Sequence, residues 1–453
     1  MTIIQHRTHW EKFKDKVRSL FSGNLSSGVL MIVAVIAALV FANVGWASEY
    51  HAFWEYPLDI QLNDVNFDIT LHELVNDGLM AIFFFMIGLE IKRELIAGEL
   101  SKPRQAALPI LCALGGLIFP ALIYIALNFG KDTIQGWGIP MATDIVFALV
   151  LLTLVGHKKV PASLKLFVTA LAVIDDLCAV LIIAFFYTDQ IVFESLSWAF
   201  ISFFVLLLAN KIGIRNPFFY GAVGLLGIWT GFFLSGVHAT IAGVITAAAI
   251  PAKVGMNEKQ FTTNIRNLIT TFEDTHSLDS VFIQKEQLEL VQVIQKAIRK
   301  TVPPLQTIEK VLQPFVNFVV LPLFAFANTG LIIRAESMGQ LLQPLSLGIV
   351  LGLVVGKFLG ISIIARLAVA TKIATLPEKV KWPQLYGAAA FAGIGFTMSI
   401  FIGDLAFDNE AYVYQAKLSI LLAFVLAVLL GMGIFRFFVK AKKRNHTVVE
   451  ESH

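Results

Sequence analysis

Asp175 and Asp176 stand side by side between two largely apolar stretches, Leu166–Ile174 and Leu177–Ile183. A carboxylate at bilayer depth costs at least ~2.5–3.5 kcal/mol on insertion scales, and two adjacent ones cost more. Groups this expensive mark paths for ions or protons. Two further charges sit at similar depth. Asp144 ends Gly138-Ile139-Pro140-Met141-Ala142-Thr143-Asp144, and Lys357 interrupts Leu351–Ile361. A mid-span ammonium is too deep to snorkel, so it needs an acidic partner or the negative end of a half-helix. Asp176 is the natural partner and Asp144 the alternative.

These groups suit a small hard cation such as Na⁺, because carboxylates with a hydroxyl or backbone carbonyls supply oxygen ligands. Adjacent carboxylates repel, so protons and cation compete for a site that they cannot fill together. That exclusivity is sufficient for antiport. The chain has no phosphate-cradling G-x-x-x-x-G-K-[ST] motif and no G-x-G-x-x-G at a strand–helix turn. Transport would therefore run on a gradient rather than on ATP. Gly138 and Pro140 weaken helical hydrogen bonding just before Asp144. Ala392-Gly393-Ile394-Gly395-Phe396-Thr397-Met398-Ser399 is again glycine-rich with hydroxyls. Two interrupted spans in separate halves of a chain point to a midplane binding site, where half-helix ends present partial charges to ions.

The elements that must position these residues are membrane helices. The 453 residues are 57% hydrophobic and only 15% charged, against about 25% charged in soluble domains. Twelve apolar runs are long enough to cross a bilayer as helices: 28–46, 71–92, 105–127, 136–156, 162–187, 194–211, 216–234, 237–253, 312–333, 344–370, 384–405 and 412–438. The short interval between the seventh and eighth could hide a merged pair. Lys and Arg gather on the cytoplasmic side of membrane proteins. With the N-terminus inside, only Lys131, Arg334, Lys417 and the mid-span Lys357 of the 35 Lys and Arg fall outside the cytoplasmic segments. Segment 47–70 has none, and carries Glu49, Glu55, Asp59, Asp64 and Asp68.

The expected organisation has five parts. Residues 1–27 form a cytoplasmic N-terminal segment, with a basic amphipathic surface helix over 8–22 and no signal peptide. Helices 1–8 lie in 28–253, a cytoplasmic helical insertion in 254–308, helices 9–12 in 309–438, and a cytoplasmic tail in 439–453. In the insertion, Leu290, Val291, Ile294, Ala297 and Ile298 make an amphipathic stripe. Cys112 and Cys178 lie in apolar spans without a CxxC or Cys/His cluster, so neither a zinc site nor a disulfide framework is expected.

At its polar positions the sequence resembles the NhaA-type Na⁺/H⁺ antiporters of bacterial inner membranes. The matching stretches are Asn76-Asp77-Gly78-Leu79-Met80-Ala81, Gly88-Leu89-Glu90-Ile91-Lys92-Arg93-Glu94, Ala142-Thr143-Asp144-Ile145, Ala172-Val173-Ile174-Asp175-Asp176-Leu177, Ser235-Gly236-Val237-His238-Ala239-Thr240, Leu321–Asn328, Gly356-Lys357 and Gly393–Ile400. The resemblance implies an all-α polytopic membrane protein of about twelve helices, with inverted repeats and two interrupted, crossing helices. It implies that Asp175 and Asp176 exchange cation and protons, and that Lys357 bridges the second aspartate. Thr143 and Asp144 would stand at the crossing. Glu90, Arg93, Glu94 and Glu309, with His238, would belong to a pH response, and Asp77 is a further candidate. It also implies electrogenic exchange of more than one H⁺ per Na⁺ or Li⁺, and a homodimer in the lipid bilayer. No enzymatic activity, no resident cofactor and no nucleic-acid partner is expected, since Na⁺, Li⁺ and H⁺ are cargo. The insertion before the ninth span replaces a usually short loop.

Three rival classes make distinct demands. An intramembrane aspartyl protease would carry YD and GxGD motifs, but here Asp144 follows Thr143 and Asp175 follows Val173-Ile174. A cation channel would give single-channel currents, whereas Lys357 and interrupted spans around one occluded site favour alternating access. A Na⁺-coupled symporter would need an organic-substrate pocket that the sequence does not display.

Overall fold

The structure, a computed structural model, describes residues 24–62, 65–156, 159–188, 191–274, 285–333 and 337–439. The surface helix expected over 8–22 and nearly all of the tail expected at 439–453 lie outside the described residues. The described residues are mostly helical, as the long apolar runs require. The early elements are α1 (Asn24–Asn43), α2 (Ala47–Trp54), an antiparallel hairpin of β1 (Pro57–Leu62) and β2 (Val65–Thr70), and α3 (Leu71–Ala97). The hairpin pairs Pro57 with Thr70 through to Leu62 with Val65, and the all-helical expectation did not include it. Thr70 starts α3 with a reciprocal cap: its hydroxyl accepts the Glu73 N–H, and Glu73 accepts the Thr70 N–H at 2.7 Å.

Next come α4 (Pro103–Asn128), the 3₁₀ helix α5 (Asp132–Met141), α6 (Ile145–Val155), α7 (Ala162–Phe186), α8 (Phe193–Ile212), α9 (Pro217–Phe233) and α10 (Ile241–Ala249). The insertion folds as two helices, α11 (Glu258–Asp274) and α12 (Lys285–Thr301). On the stripe expected of α12, Ala297 is buried but Ile298 is 46% exposed. The remaining spans are α13 (Pro304–Asn328), α14 (Pro344–Ala370), α15 (Trp382–Ala392), α16 (Phe396–Ala406) and α17 (Glu410–Phe437).

Among the described residues nine helices are long and apolar enough to cross a membrane, taking α15 with α16 as one. The pair α5 and α6, bent by 44°, makes a tenth. The expected seventh and eighth spans fall on α9 and α10. At 1.5 Å per residue the 9 residues of α10 reach about 14 Å, well short of a ~30 Å hydrocarbon core. The described helices therefore do not give the full count of twelve.

Two compact units are present. One takes the described residues of 1–83, 94–190 and 314–453, and the other those of 84–93 and 191–313. In the first, α4 and α14 meet where glycines remove side chains: a Cβ on Gly360 would collide with the Gly115 carbonyl, and one on Gly115 with the Gly360 carbonyl. This approach holds Lys357, one turn before Gly360, against α4. A π turn at Gly352–Gly356 leads directly into Lys357, and another at Leu74–Leu79 contains Asp77. Such turns open the helical ladder locally and recur at functional sites. In the second unit α8 ends at Gly213 in the left-handed region, φ 90°, and its N–H returns to the Ala209 carbonyl at 3.1 Å.

Candidate functional site

Two interrupted helices build the site. Residues 142–144 separate α5 from α6, and residues 393–395 separate α15 from α16. The breaks touch, because the Asp144 N–H donates to the Ile394 carbonyl at 2.6 Å. Gly393 is required there: a Cβ would fall on the Leu353 carbonyl oxygen. An 18-residue apolar stretch of the segment spanning α15 and α16 is 94% buried, against 22–61% in the other eight long apolar helices described.

Asp144 caps α6. Its Oδ1 accepts the Val146 and Phe147 N–H groups at 3.1 and 3.2 Å. Its Oδ2 accepts the Thr397 hydroxyl at 2.6 Å and the Thr397 N–H, at the start of α16, at 3.3 Å. One buried carboxylate thus faces the positive ends of both half-helices. Lys357 takes the opposite role. Its Nζ donates to the Met141 carbonyl, at the negative end of α5, and lies 2.9 Å from Asp175 Oδ2. Lys357 and Asp175 are both fully buried side chains.

The lysine therefore pairs with the first aspartate, where Asp176 was expected from both the sequence and the resemblance. The reason is helical geometry: consecutive residues of α7 project about 100° apart. Only one carboxylate of the pair can face Lys357 and the break, and that one is Asp175. Asp176, the next residue of α7, is also buried. Thr143 completes the group. Its hydroxyl lies 2.6 Å from Asp175 Oδ2 and 3.0 Å from the Ala392 carbonyl. Asp175 Oδ1 is buried with no hydrogen-bond partner among the described residues. An oxygen so placed is open to a proton or a cation, since leaving it unsatisfied is costly. Carboxylate, hydroxyl and carbonyl oxygens converge here, the donor set a small hard cation takes.

The other candidates fall elsewhere. In the second unit Arg93 bonds Glu309 and sits 3.4 Å from Glu90, so these three form one cluster. Glu94 is engaged differently, with its Oε2 accepting the Glu99 N–H at 3.1 Å. His238 occupies the turn between α9 and α10, half-buried. Asp77 is partly buried within its π turn. Thr397 lies in the glycine-rich stretch of the second break, and its part in the site is not evident from residue type alone. Its signal was a hydroxyl at the first turn after the second break.

Known proteins resemble this chain over nearly its whole length. The family model described as Na⁺/H⁺ antiporter 1 matches residues 18–435. A protein of Oleidesulfovibrio alaskensis named Na(+)/H(+) antiporter NhaA is 44% identical over 434 residues, covering 96% of each chain. A Psychromonas ingrahamii protein named Na(+)/H(+) antiporter NhaA 1 is 42% identical, over 93% of this chain and 96% of its own. One from Sulfurimonas denitrificans, named Na(+)/H(+) antiporter NhaA, is 42% identical, over 95% of this chain and 98% of its own.

Proposed function

This chain belongs to the Na⁺/H⁺ antiporter 1 family and is a Na⁺/H⁺ antiporter, and from that premise we propose that Asp175, Asp176, Asp144, Thr143 and Lys357 carry its exchange. A single observation supports this most strongly: Lys357, Thr143 and the open Oδ1 of Asp175 meet beside two broken helices. In the empty site Lys357 neutralises Asp175. A Na⁺ or Li⁺ ion arriving at Asp175 and Asp176 displaces the ammonium, with Thr143 adding a hydroxyl ligand. Displaced Lys357 keeps the Met141 carbonyl as acceptor and can release a proton, and Asp176 releases another. Two protons then exchange for one cation, which makes transport electrogenic. Asp144 holds the positive half-helix ends in place while the cargo charge changes.

Alternating access presents this site first to one side of the membrane and then to the other, exporting Na⁺ and admitting H⁺. Glu90, Arg93 and Glu309, with Glu94 and His238, set its pH dependence. The Lys and Arg distribution supports an inner-membrane orientation with both termini cytoplasmic. Channel and symporter functions are not favoured, because the relatives are named as antiporters.

The test is Na⁺-induced dissipation of a proton gradient in everted vesicles, across about pH 6.5 to 8.5. Wild type should alkalinise the lumen on Na⁺ addition, and Asp176→Asn should not. An Asp176→Asn variant as active as wild type would refute the assignment of this pair.

A further inference from the structure

Asp404 and Lys417 form a second buried ion pair, which the exchange site does not use. α16 carries Thr397, the donor to Asp144, and Asp404 seven residues later. Seven residues are nearly two turns, so both project from one helix face, about 10 Å apart along the axis. Lys417, on α17, lies 2.8 Å from Asp404 Oδ1, and the two side chains are only 11% and 14% exposed. Neither Asp404 oxygen has a hydrogen-bond partner among the described residues, so Lys417 holds Oδ1 as an ion pair without hydrogen-bond geometry and Oδ2 is open.

Lys417 has a second hold. Its Nζ also donates to Asn328 Oδ1, on α13, at 3.2 Å. The amide of Asn328 is itself fixed from both ends. Its Oδ1 meets His72 Nε2 at 3.0 Å, and its Nδ2 donates to Asn76 Oδ1 at 2.8 Å and to the Phe324 carbonyl at 3.2 Å. With Oδ1 facing Lys417, the His72 nitrogen must be the donor. Between Thr397 and Asp404 on the same face of α16 lies Phe401, buried, its ring meeting that of Phe324 on α13 with centroids 6.3 Å apart. Asn328 follows Phe324 by one turn, so α13 and α16 meet through an aromatic contact and then through a polar one. His72, Asn328, Asp404 and Lys417 all lie at span ends that the Lys and Arg distribution assigns to the outside.

We propose that Asp404 is an outer-side acceptor for the monovalent cation leaving the exchange site, with Lys417 as the counter-ion that occupies it when no cation is present. The open Oδ2 supplies a hard oxygen ligand. Displaced by a cation, Lys417 still holds Asn328 Oδ1, so neither ammonium nor amide is orphaned. Phe401 and Phe324 divide this station from the crossing, and the cation passes when they part. The proposal rests on the antiport function above and on the outward assignment of this face.

The test measures half-saturating Na⁺ for ²²Na⁺ exchange separately at each face, in right-side-out and everted vesicles. Asp404→Asn should raise the outside value several-fold and leave the inside value unchanged. Lys417→Gln, which frees Asp404 and keeps an amide for Asn328, should lower the outside value. The neutral double variant, with no unpaired charge to compromise folding, should match Asp404→Asn. Constants that do not move, or that move equally at both faces, would overturn the proposal alone. A wild type that exchanges no Na⁺ for H⁺ would overturn the antiport function, and the proposal with it.

Discussion

Replacing Lys357 by Met tests whether the pair with Asp175 is what permits charge at this depth. At 2.9 Å the attraction is on the order of 6 kcal/mol with an effective dielectric constant near 20. Desolvation of both groups offsets most of that in the intact pair. The asymmetry appears when one partner goes. Met fills the space of the lysine stem but leaves the Asp175 carboxylate with only the Thr143 hydroxyl. Breaking a buried pair in this way costs about 3–5 kcal/mol, roughly a 10²- to 10⁴-fold change in the folded-to-unfolded ratio. Removing both charges in Lys357→Met/Asp175→Asn should recover most of the loss, since a neutral pair needs no compensation. Unfolding in mixed detergent micelles, titrated with a denaturing detergent, measures both single variants, Lys357→Met and Asp175→Asn, and the double. Transport should be absent in every one, so the double variant separates stability from exchange. A double variant whose loss equals the sum of the single losses would refute the reasoning, because coupling would then be missing.

Thr397→Val removes the hydroxyl at 2.6 Å from Asp144 Oδ2 while keeping the N–H. A loss of about 1.5–3 kcal/mol is expected in the same titration, and a wild-type value would show that the bond adds nothing. Gly393→Ala should impair folding, because its Cβ meets backbone rather than a movable side chain. A variant expressed and active at wild-type level would show that the break tolerates a side chain. Glu309→Gln removes the partner of Arg93, whose side chain is 34% exposed. Solvent screening keeps the stability change to about 1 kcal/mol or less, and the effect should appear instead as a shifted pH profile of exchange. An unshifted profile would leave the pair as an anchor alone. Burial pushes the Tyr50 phenol up to about 12 from 10.0, the neutral hydroxyl bonding the Phe326 and Ala327 carbonyls. The folded state then binds this proton more tightly than the unfolded chain. Its contribution is full below pH ~10 and is lost as pH rises through ~12. Tyr50→Phe should remove that alkaline decline in stability, and a persistent decline would assign it to other groups.

The intramembrane charges were legible because apolar surroundings make them conspicuous: Asp144, Asp175, Asp176 and Lys357 stand out from the sequence alone. The breaks were legible too, through Gly138, Pro140, Gly393 and Gly395. Which aspartate meets the lysine was not, because that depends on the rotation of α7, and apolar neighbours on every side leave no periodicity to fix it. The pairing of Asp404 with Lys417 is not legible in the sequence, for another reason. Each lies near a span end, where a charge is ordinary, and their pairing depends on how α16 packs against α17. The hairpin has a signal in the alternation Leu58-Asp59-Ile60-Gln61-Leu62, which is short and lies within the acidic stretch 47–70. The π turns have no sequence signature, since they arise where packing forces one extra residue into a helical turn.

Thr143 carries one hydroxyl hydrogen and faces two acceptors, Asp175 Oδ2 and the Ala392 carbonyl. It can serve only one of them fully. While Asp175 is bare, the charged oxygen holds the hydrogen. Once that oxygen carries a proton or a cation, the hydrogen turns to Ala392, the last residue of α15. On the proposed exchange at Asp175, loading the carboxylate would thus reach the end of a half-helix through the rotation of a single O–H bond.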